Sequence, residues 1–256
     1  MLNPLLAILR AGNVAFRDVC PELPAEAEGL PTVTSATCEG ESCGICVDAC
    51  PTVAIAVVGK AVALDRGRCI GCSACLRVCP TGTLANDRST LTAVRTREEL
   101  ILGDRGAALQ AGWAGPVAEE GKPRADFRRS LHVREVSTGD GASDVEANAA
   151  CNSQFDVARF GVQFVASPRH ADALLVSGPV GKAMQEPLRR CYDAMAEPRL
   201  VIALGTAAIS GGLFAGGYAE AGGVGSVLPV DCFVPGDPPH PWSIVHGLLL
   251  AMGRVG

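Results

Sequence analysis

The sequence is poor in aromatic residues, carries no excess of positive charge and contains no long uninterrupted apolar run. Phe, Trp and Tyr make up only 4% of the 256 residues, so any core rests on the aliphatic part of a 48% hydrophobic content. A net charge of −5 argues against nonspecific binding to nucleic acid. The most apolar window, Leu200 to Tyr218, is broken by Gly205, Gly211, Gly212, Gly216 and Gly217. That pattern reads as a buried strand followed by a glycine-rich loop, and not as a membrane span. The stretch MLNPLLAILRAGNV has no small-residue cleavage site after a sufficiently long apolar core, so no signal peptide is expected. No catalytic acid, base or nucleophile stands out, and SGGLFAGG lacks a G-x-G-x-x-G phosphate cradle after a strand. The chain is therefore not expected to turn over substrate alone.

Cysteine, by contrast, is abundant. Twelve cysteines would suggest disulfides in a small secreted protein, but in a longer chain with no expected leader they fit thiolate chemistry in a reducing cytoplasm. From Cys69 to Cys79 the chain reads CIGCSACLRVCP, with the spacing C-x2-C-x2-C-x3-C-P of a bacterial-ferredoxin 4Fe-4S run. Three corners of the cube are reached from one tight loop, and the cysteine before the proline serves a second cluster. A second run is therefore required, and TCEGESCGICVDACP, from Cys38 to Cys50, supplies it. The crossed assignment puts Cys69, Cys72 and Cys75 with Cys50 on one 4Fe-4S cluster, and Cys38, Cys43 and Cys46 with Cys79 on the other. Zinc fits poorly, because its sites use four ligands, commonly as two spaced pairs. The first run is irregular: Gly40 stands where the spacing wants a cysteine, and Cys38 is two residues early. Either a bulge through Glu39, Gly40 and Glu41 brings Cys38 to iron, or the site is a three-cysteine or three-iron one.

Along the chain, Leu2 to Arg10 reads as a short helix, and Pro21, Pro24 and Pro31 mark an extended arm in which Cys20 is an inert thiol. IAVVGKAVAL reads as a hairpin around Gly59-Lys60, completing a compact α+β ferredoxin-like unit. Leu91 to Leu100 reads as a strand and a short helix, and a glycine- and alanine-rich linker follows. KPRADFRRSLHVR, Lys122 to Arg134, reads as a solvated or subunit-facing arm. Ala171 to Val180 and Pro198 to Ala208 are continuous apolar runs, as in strands buried on both faces of a parallel sheet. Between them Met184, Leu188, Cys191 and Met195 form the core stripe of a helix. A third strand is expected at Ser226 to Val230 and a last helix at Trp242 to Met252. The expected organisation is an arm and two-cluster ferredoxin-like domain at 1–102, a linker at 103–129 and an α/β flavodoxin-like domain with a parallel sheet at 130–256.

From Ser130 onward the strings RSLHVREV, QFDVARFGVQFVASPRHADALLVSGPV, EPRLVIALG, SGGLFAGGYAEAGGV, PVDCFVPGDPP and IVHGLL occur in order. They resemble the small electron-transfer subunit shared by respiratory complex I and membrane-bound NiFe hydrogenases, the formate-hydrogenlyase type above all. Cys38 to Leu100 is similar, less sharply, to the two-cluster ferredoxin-like subunit of the same complexes, so the chain looks like a fusion of the two. The resemblance implies one further 4Fe-4S cluster in the small subunit, held by two close cysteines after a glycine turn, one in a G-x-C-A loop and one in a P-G-C-P-P turn. Here the first pair falls within TGDGASDVE, with Asp140 or Gly141 and Ser143 in the slots, the loop cysteine is Ala207 and the turn cysteine is Asp237. Alanine offers no ligand atom, so no cluster is expected in the C-terminal domain. Cys151, Cys191 and Cys232 are expected to be buried inert thiols. Asp140, Asp144, Glu146, Asp237 and His240 are candidates to gather near the altered pocket, around a hard cation or around water and backbone amides. His132, His170 and His246 lack ligand spacing.

These readings lead to an iron-sulfur electron-transfer subunit of a membrane-associated complex related to complex I, energy-converting NiFe hydrogenase or formate hydrogenlyase. Its expected partners are a large subunit of that kind, membrane subunits and a redox donor or acceptor protein, with no nucleic acid. It would sit on the cytoplasmic face of the cell membrane through those partners. The alternative is a scaffold subunit of such a complex with no through-going electron transfer. An intact small subunit feeding a NiFe site is disfavoured by the four replaced cysteines.

Overall fold

The computed structural model describes residues 19–111, 127–139 and 142–255. The expected helix at Leu2 to Arg10, most of the linker and residues 122–126 of the basic segment lie outside these. In the N-terminal part, β1 (Leu30–Val33) pairs antiparallel with β4 (Leu84–Asp87). β2 (Ile55–Val58) and β3 (Ala61–Asp65) form the hairpin, in which Val58 faces Ala61 and Gly59-Lys60 is the two-residue turn. β5 (Ile101–Gly103) adds to β3, and helix α3 (Arg105–Gln110) follows it. Two short helices, α1 (Ile45–Asp48) and α2 (Ala74–Val78), each sit inside a cysteine run and pack on one another. The apolar centre consists of Ile55, Val62, Leu64, Cys75 and Leu84, with Cys38, Cys46, Cys50 and Cys79 packed against it. The cysteines are thus part of the core of this half.

The C-terminal part is a five-stranded, all-parallel sheet in the order β10-β9-β8-β6-β7, comprising β6 (Leu131–Ser137), β7 (Val162–Phe164), β8 (Ala173–Ser177), β9 (Leu200–Leu204) and β10 (Cys232–Val234). Every residue of β8 and β9 is buried, which is why both read as unbroken apolar runs. Helices α4 (Ala142–Ala149), α5 (Gln185–Asp193), α6 (Gly205–Ser210) and α7 (Pro241–Ala251) connect and cover the strands. The stripe on α5 is core packing: Leu188 and, just beyond the helix, Met195 are buried, and Cys191 leans on the same cluster. This is the ferredoxin-like unit followed by a flavodoxin-like α/β domain.

Three local expectations are corrected. The last four residues of the basic segment begin β6, a strand with two partners whose Leu131 and Val133 are fully buried, and not an arm. Its first four residues alternate buried Leu131 and Val133 with half-buried His132 and Arg134, the period-2 pattern of a strand. Ser226 to Val230 is not a strand. It begins on a 3-10 turn (Val224–Ser226), and Pro229 has no N–H to give a ladder, so Leu228 and Val230 are buried as cover for the sheet. The strand starts at Cys232, beside Asp231, whose carboxylate accepts the Val201 N–H at 2.8 Å. Leu91 to Leu100 holds no strand, but Val94 makes a two-way backbone bridge with Phe233 (3.0 and 2.8 Å) before a 3-10 turn (Arg97–Leu100) closed by a Thr96/Glu99 capping box.

That bridge belongs to an extensive seam. The Ala93 N–H donates to His246 Nδ1 at 3.2 Å, and Arg95 donates to the carbonyls of Leu250 and Val255. The Cys20 thiol, buried, donates to the Trp242 carbonyl at 3.3 Å. Cys20, Ala93 and Leu100 all enter the C-terminal cores. Among the described residues no helix is long and apolar enough to cross a membrane.

Candidate iron-sulfur centres

Each cysteine run is a loop that turns into a single helical turn and ends in Cys-Pro-Thr. The turning requires positive φ, at Gly40 (89°) and Gly44 (56°) in the first run, and at Gly71 (68°) and Ser73 (55°) in the second. Gly40 is sterically obligatory: a Cβ there would fall 2.3 Å from the Gly59 carbonyl oxygen. The two extra residues of the irregular run lean on the hairpin turn, with Glu41 N–H donating to the Gly59 carbonyl at 3.0 Å and the Gly59 N–H donating to the Glu41 carboxylate at 2.7 Å.

The folding of the two runs against each other forms two hollows. One is rimmed by Cys69, Cys72, Cys75 and Cys50, with Ile55 and Leu64 behind them. The other is rimmed by Cys38, Cys43, Cys46 and Cys79, with Val57 in its wall. Each set takes three cysteines from one run and the Cys-Pro cysteine of the other. The hydrogen bonds repeat with the same symmetry. Gly40 N–H donates to Cys38 Sγ (3.3 Å) as Gly71 N–H donates to Cys69 Sγ (3.4 Å), and the Thr52 and Thr81 hydroxyls stand 3.8 and 3.7 Å from Cys50 Sγ and Cys79 Sγ. Ala54 N–H also donates to Cys50 Sγ at 3.2 Å.

The electrostatics of the hollows fit a cationic centre. Burial, followed by the neighbouring Cys38, Cys79 and Cys43 thiols, pushes Cys46 up to about 11. Burial pushes Cys69 up to about 12, against the Gly71 amide, with Cys75, Cys50 and Cys72 adding to it. Burial acts in the same sense on Cys79, but the Leu84, Thr81 and Thr83 amides and the Thr81 hydroxyl outweigh it and hold that thiol below its ordinary value. Four thiolates facing one desolvated hollow need positive charge at its centre. Among the described residues no three His, Cys, Asp or Glu side chains converge closely enough to hold a single metal ion. A cube whose iron corners each take one thiolate matches that donor set.

The C-terminal slots bring other chemistry together. Ala207 is buried in α6, and the Thr206 N–H donates to the Gly236 carbonyl at 2.8 Å, beside Asp237. Ser143 is buried with an unpartnered hydroxyl, and a Cβ on Gly205 would fall 2.3 Å from its Oγ. The segments carrying Ser143, Ala207 and Asp237 therefore converge, presenting a hydroxyl, a methyl and a carboxylate, at positions where the resemblance to the small subunit implies thiols. Asp140 and Gly141 lie outside the described residues. Glu146, Asp237 and His240 share the wall of an interdomain cavity of about 320 Å³ with Ile70, Gly71 and Thr92, and Asp144 is not in it. No cation site of three such groups exists among the described residues. Burial holds His240 below its ordinary pKa, and its Nδ1 accepts the Trp242 N–H to cap α7.

Of the remaining cysteines, Cys232 is buried and pushed up to about 12 by burial, and Cys20 up to about 11 by the same cause. Cys151 is exposed, which corrects the expectation that it is buried. His132 pairs with Asp172 at 3.1 Å, while His246 serves the seam.

Two residues that matter locally carry no signal in the sequence. Asp65, fully buried, takes the Gly67 N–H (2.8 Å) and pairs with Arg97 (2.5 Å) and Arg68 (3.4 Å), holding the loop that begins at Cys69. Thr206 reaches across the seam to the Cys69 carbonyl at 2.8 Å. Nothing in their spacing marks them, whereas the repeated Cys-Pro-Thr could have flagged Thr52 and Thr81.

Comparison with known proteins divides the chain in the same way. The family described as "NADH ubiquinone oxidoreductase, 20 Kd subunit" matches residues 141–251, and the "4Fe-4S dicluster domain" matches residues 30–92. An NADH-quinone oxidoreductase subunit of Desulfovibrio desulfuricans is 41% identical over 136 residues, covering 53% of this chain and 74% of that protein. A probable membrane-bound hydrogenase subunit of Pyrococcus furiosus is 40% identical over 128 residues, 50% of this chain and 77% of the other. Formate hydrogenlyase subunit 7 of Escherichia coli is 38% identical over 128 residues, half the length of each.

Proposed function

Because the chain belongs to the family of the 20 kDa subunit of NADH ubiquinone oxidoreductase, with a 4Fe-4S dicluster domain ahead of it, we propose that it is an electron-transfer subunit with two clusters and no third. In this reading it serves a membrane-associated complex related to complex I, energy-converting hydrogenase or formate hydrogenlyase, held at the membrane by partner subunits. Cys69, Cys72, Cys75 and Cys50 hold one 4Fe-4S cluster, and Cys38, Cys43, Cys46 and Cys79 hold the other. Such clusters supply one-electron capacity at potentials set by hydrogen bonds, burial and charge. The chain's own residues place the thiolates, exclude water with Ile55, Leu64 and Val57, and aim the Gly40, Gly71, Thr52 and Thr81 donors at sulfur.

One observation carries the proposal: two hollows, each rimmed by four cysteines in the crossed arrangement. Iron and acid-labile sulfide analysis of the anaerobically purified chain should give about eight irons. About twelve would overturn the claim that Ala207 and Asp237 leave the C-terminal domain without a cluster, and about four would remove Cys38 from the ligands. The same replacements favour a second reading, a scaffold whose clusters only hold the fold together. Rapid reduction of both clusters by an isolated partner complex would exclude it.

A further inference from the structure

The two hollows are not in equivalent surroundings. The one rimmed by Cys38, Cys43, Cys46 and Cys79 is walled by residues 38–81 alone. The other belongs to a loop that touches the C-terminal domain: Ile70 and Gly71 face Gly236, Asp237 and Pro238 across the interdomain cavity, and the Cys69 carbonyl accepts a hydrogen bond from Thr206 Oγ1 at 2.8 Å. Thr206 is fully buried and Cys69 is 8% exposed, so water does not screen this bond.

Thr206 has little freedom to do anything else. Its N–H is given to the Gly236 carbonyl at 2.8 Å, and its own carbonyl accepts the Ser210 hydroxyl at 3.2 Å. Its hydroxyl is the one donor from the C-terminal sheet domain to a cysteine of the dicluster domain's hollows among the described hydrogen bonds. The remainder of the seam (the Val94–Phe233 bridge, Arg95 and His246) holds the two domains together without it.

Resting on the two-cluster reading, we propose that Thr206 is a positioning residue for the second cluster: it fixes the Cys69 peptide and directs a donor dipole at it, making one of two otherwise similar clusters dependent on the C-terminal domain. A donor directed at the ligand's peptide stabilises the more negative, reduced form, so its removal moves the potential downward. The segment next to Ala207 thereby acts on a cluster held by another domain.

The test is a redox titration followed by electron paramagnetic resonance on the full chain. Thr206→Val, which keeps the shape and removes the hydroxyl, should retain about eight irons, shift one of the two midpoint potentials to a more negative value and alter that signal alone. Thr206→Ala, which introduces no new bulk, should do the same, and Thr206→Ser should restore the native value. Combination with Cys38→Ser, which leaves only the second set of four thiols complete, identifies the signal, because the shift must persist in it. Unchanged potentials in both Val and Ala variants, or equal shifts in both signals, would overturn the proposal. An unmutated chain without iron would overturn the two-cluster reading itself, and this inference with it.

Discussion

At the scale of the residue, the most informative side chain is Cys38, because its spacing breaks the pattern that makes the other seven cysteines legible. The folded chain gives it the companions that Cys69 has in the second run: an N–H two residues on, donating to sulfur, and a Cys-Pro cysteine from the opposite run across the hollow. Cys38→Ser replaces a soft thiolate by a hydroxyl, so iron should fall from about eight to about four per chain with the second signal intact. Cys20→Ser, at a buried thiol that donates to the Trp242 carbonyl and rims neither hollow, should leave iron unchanged. An undiminished iron content in Cys38→Ser would remove Cys38 from the ligand set. Asp65 carries a different prediction. Truncation leaves Arg97, 16% exposed in its side chain, facing a void where a fully buried carboxylate stood, so Asp65→Ala should cost about 3–5 kcal/mol in chemical denaturation. Thiol spacing announces metal chemistry from the sequence because the ligand geometry is local, whereas Arg97, the shortest ion-pair partner of Asp65, and Cys69, the partner of the Thr206 hydroxyl, lie 32 and 137 residues away, beyond any local window.

At the scale of the element, the two cysteine loops differ in what supports them. The first carries two extra residues and rests them on the β2–β3 turn, with the Gly40 backbone against the Gly59 carbonyl. Alanine at Gly40 meets both a positive φ and a backbone atom, while alanine at Gly59 meets the positive φ with open space around it. Gly59→Ala should therefore cost about 1 kcal/mol, and Gly40→Ala more, by forcing the loop off the hairpin. Rates of iron release to a chelator measure the difference: Gly40→Ala should release about half of its iron faster than the unmutated chain, and Gly59→Ala should not. The strands show where reading by pattern succeeds and fails. β8 and β9 are buried on both faces and announce themselves as apolar runs. β6 is just as central, but it alternates Leu131 and Val133 with His132 and Arg134, and its charges disguise it as an arm. β10 lies later in the chain than its pattern suggests, because Leu228 and Val230 are apolar for packing and not for pairing. A strand's neighbours decide which faces are covered, and they are distant in sequence.

At the scale of the whole molecule, the two halves draw stability from different sources. The sheet domain has aliphatic cores on both faces, one running from Leu131 through Ile202 to Leu248 and the other from Leu174 through Leu188 to Val224. The dicluster half has a centre of five buried residues, one of them Cys75, with four further candidate ligands packed against it, and beside it only a small cluster of four buried alanines. So small a centre cannot offset the chain entropy of its loops, and metal binding becomes folding free energy there. Removal of the clusters by an oxidant and a chelator should therefore abolish the lower of two calorimetric transitions and leave the upper one within a few degrees of its original position. The seam sharpens the expectation, since Cys20, Ala93 and Leu100 lie in the C-terminal cores and should remain docked when the cysteine loops open. Amide exchange should then show β2, β3 and the segments around Cys43 and Cys72 losing protection, with the segment from Ala93 to Leu100 keeping it. Loss of protection throughout β8 and β9 on iron removal would mean that the clusters support the whole chain and that the division into two sources of stability is wrong.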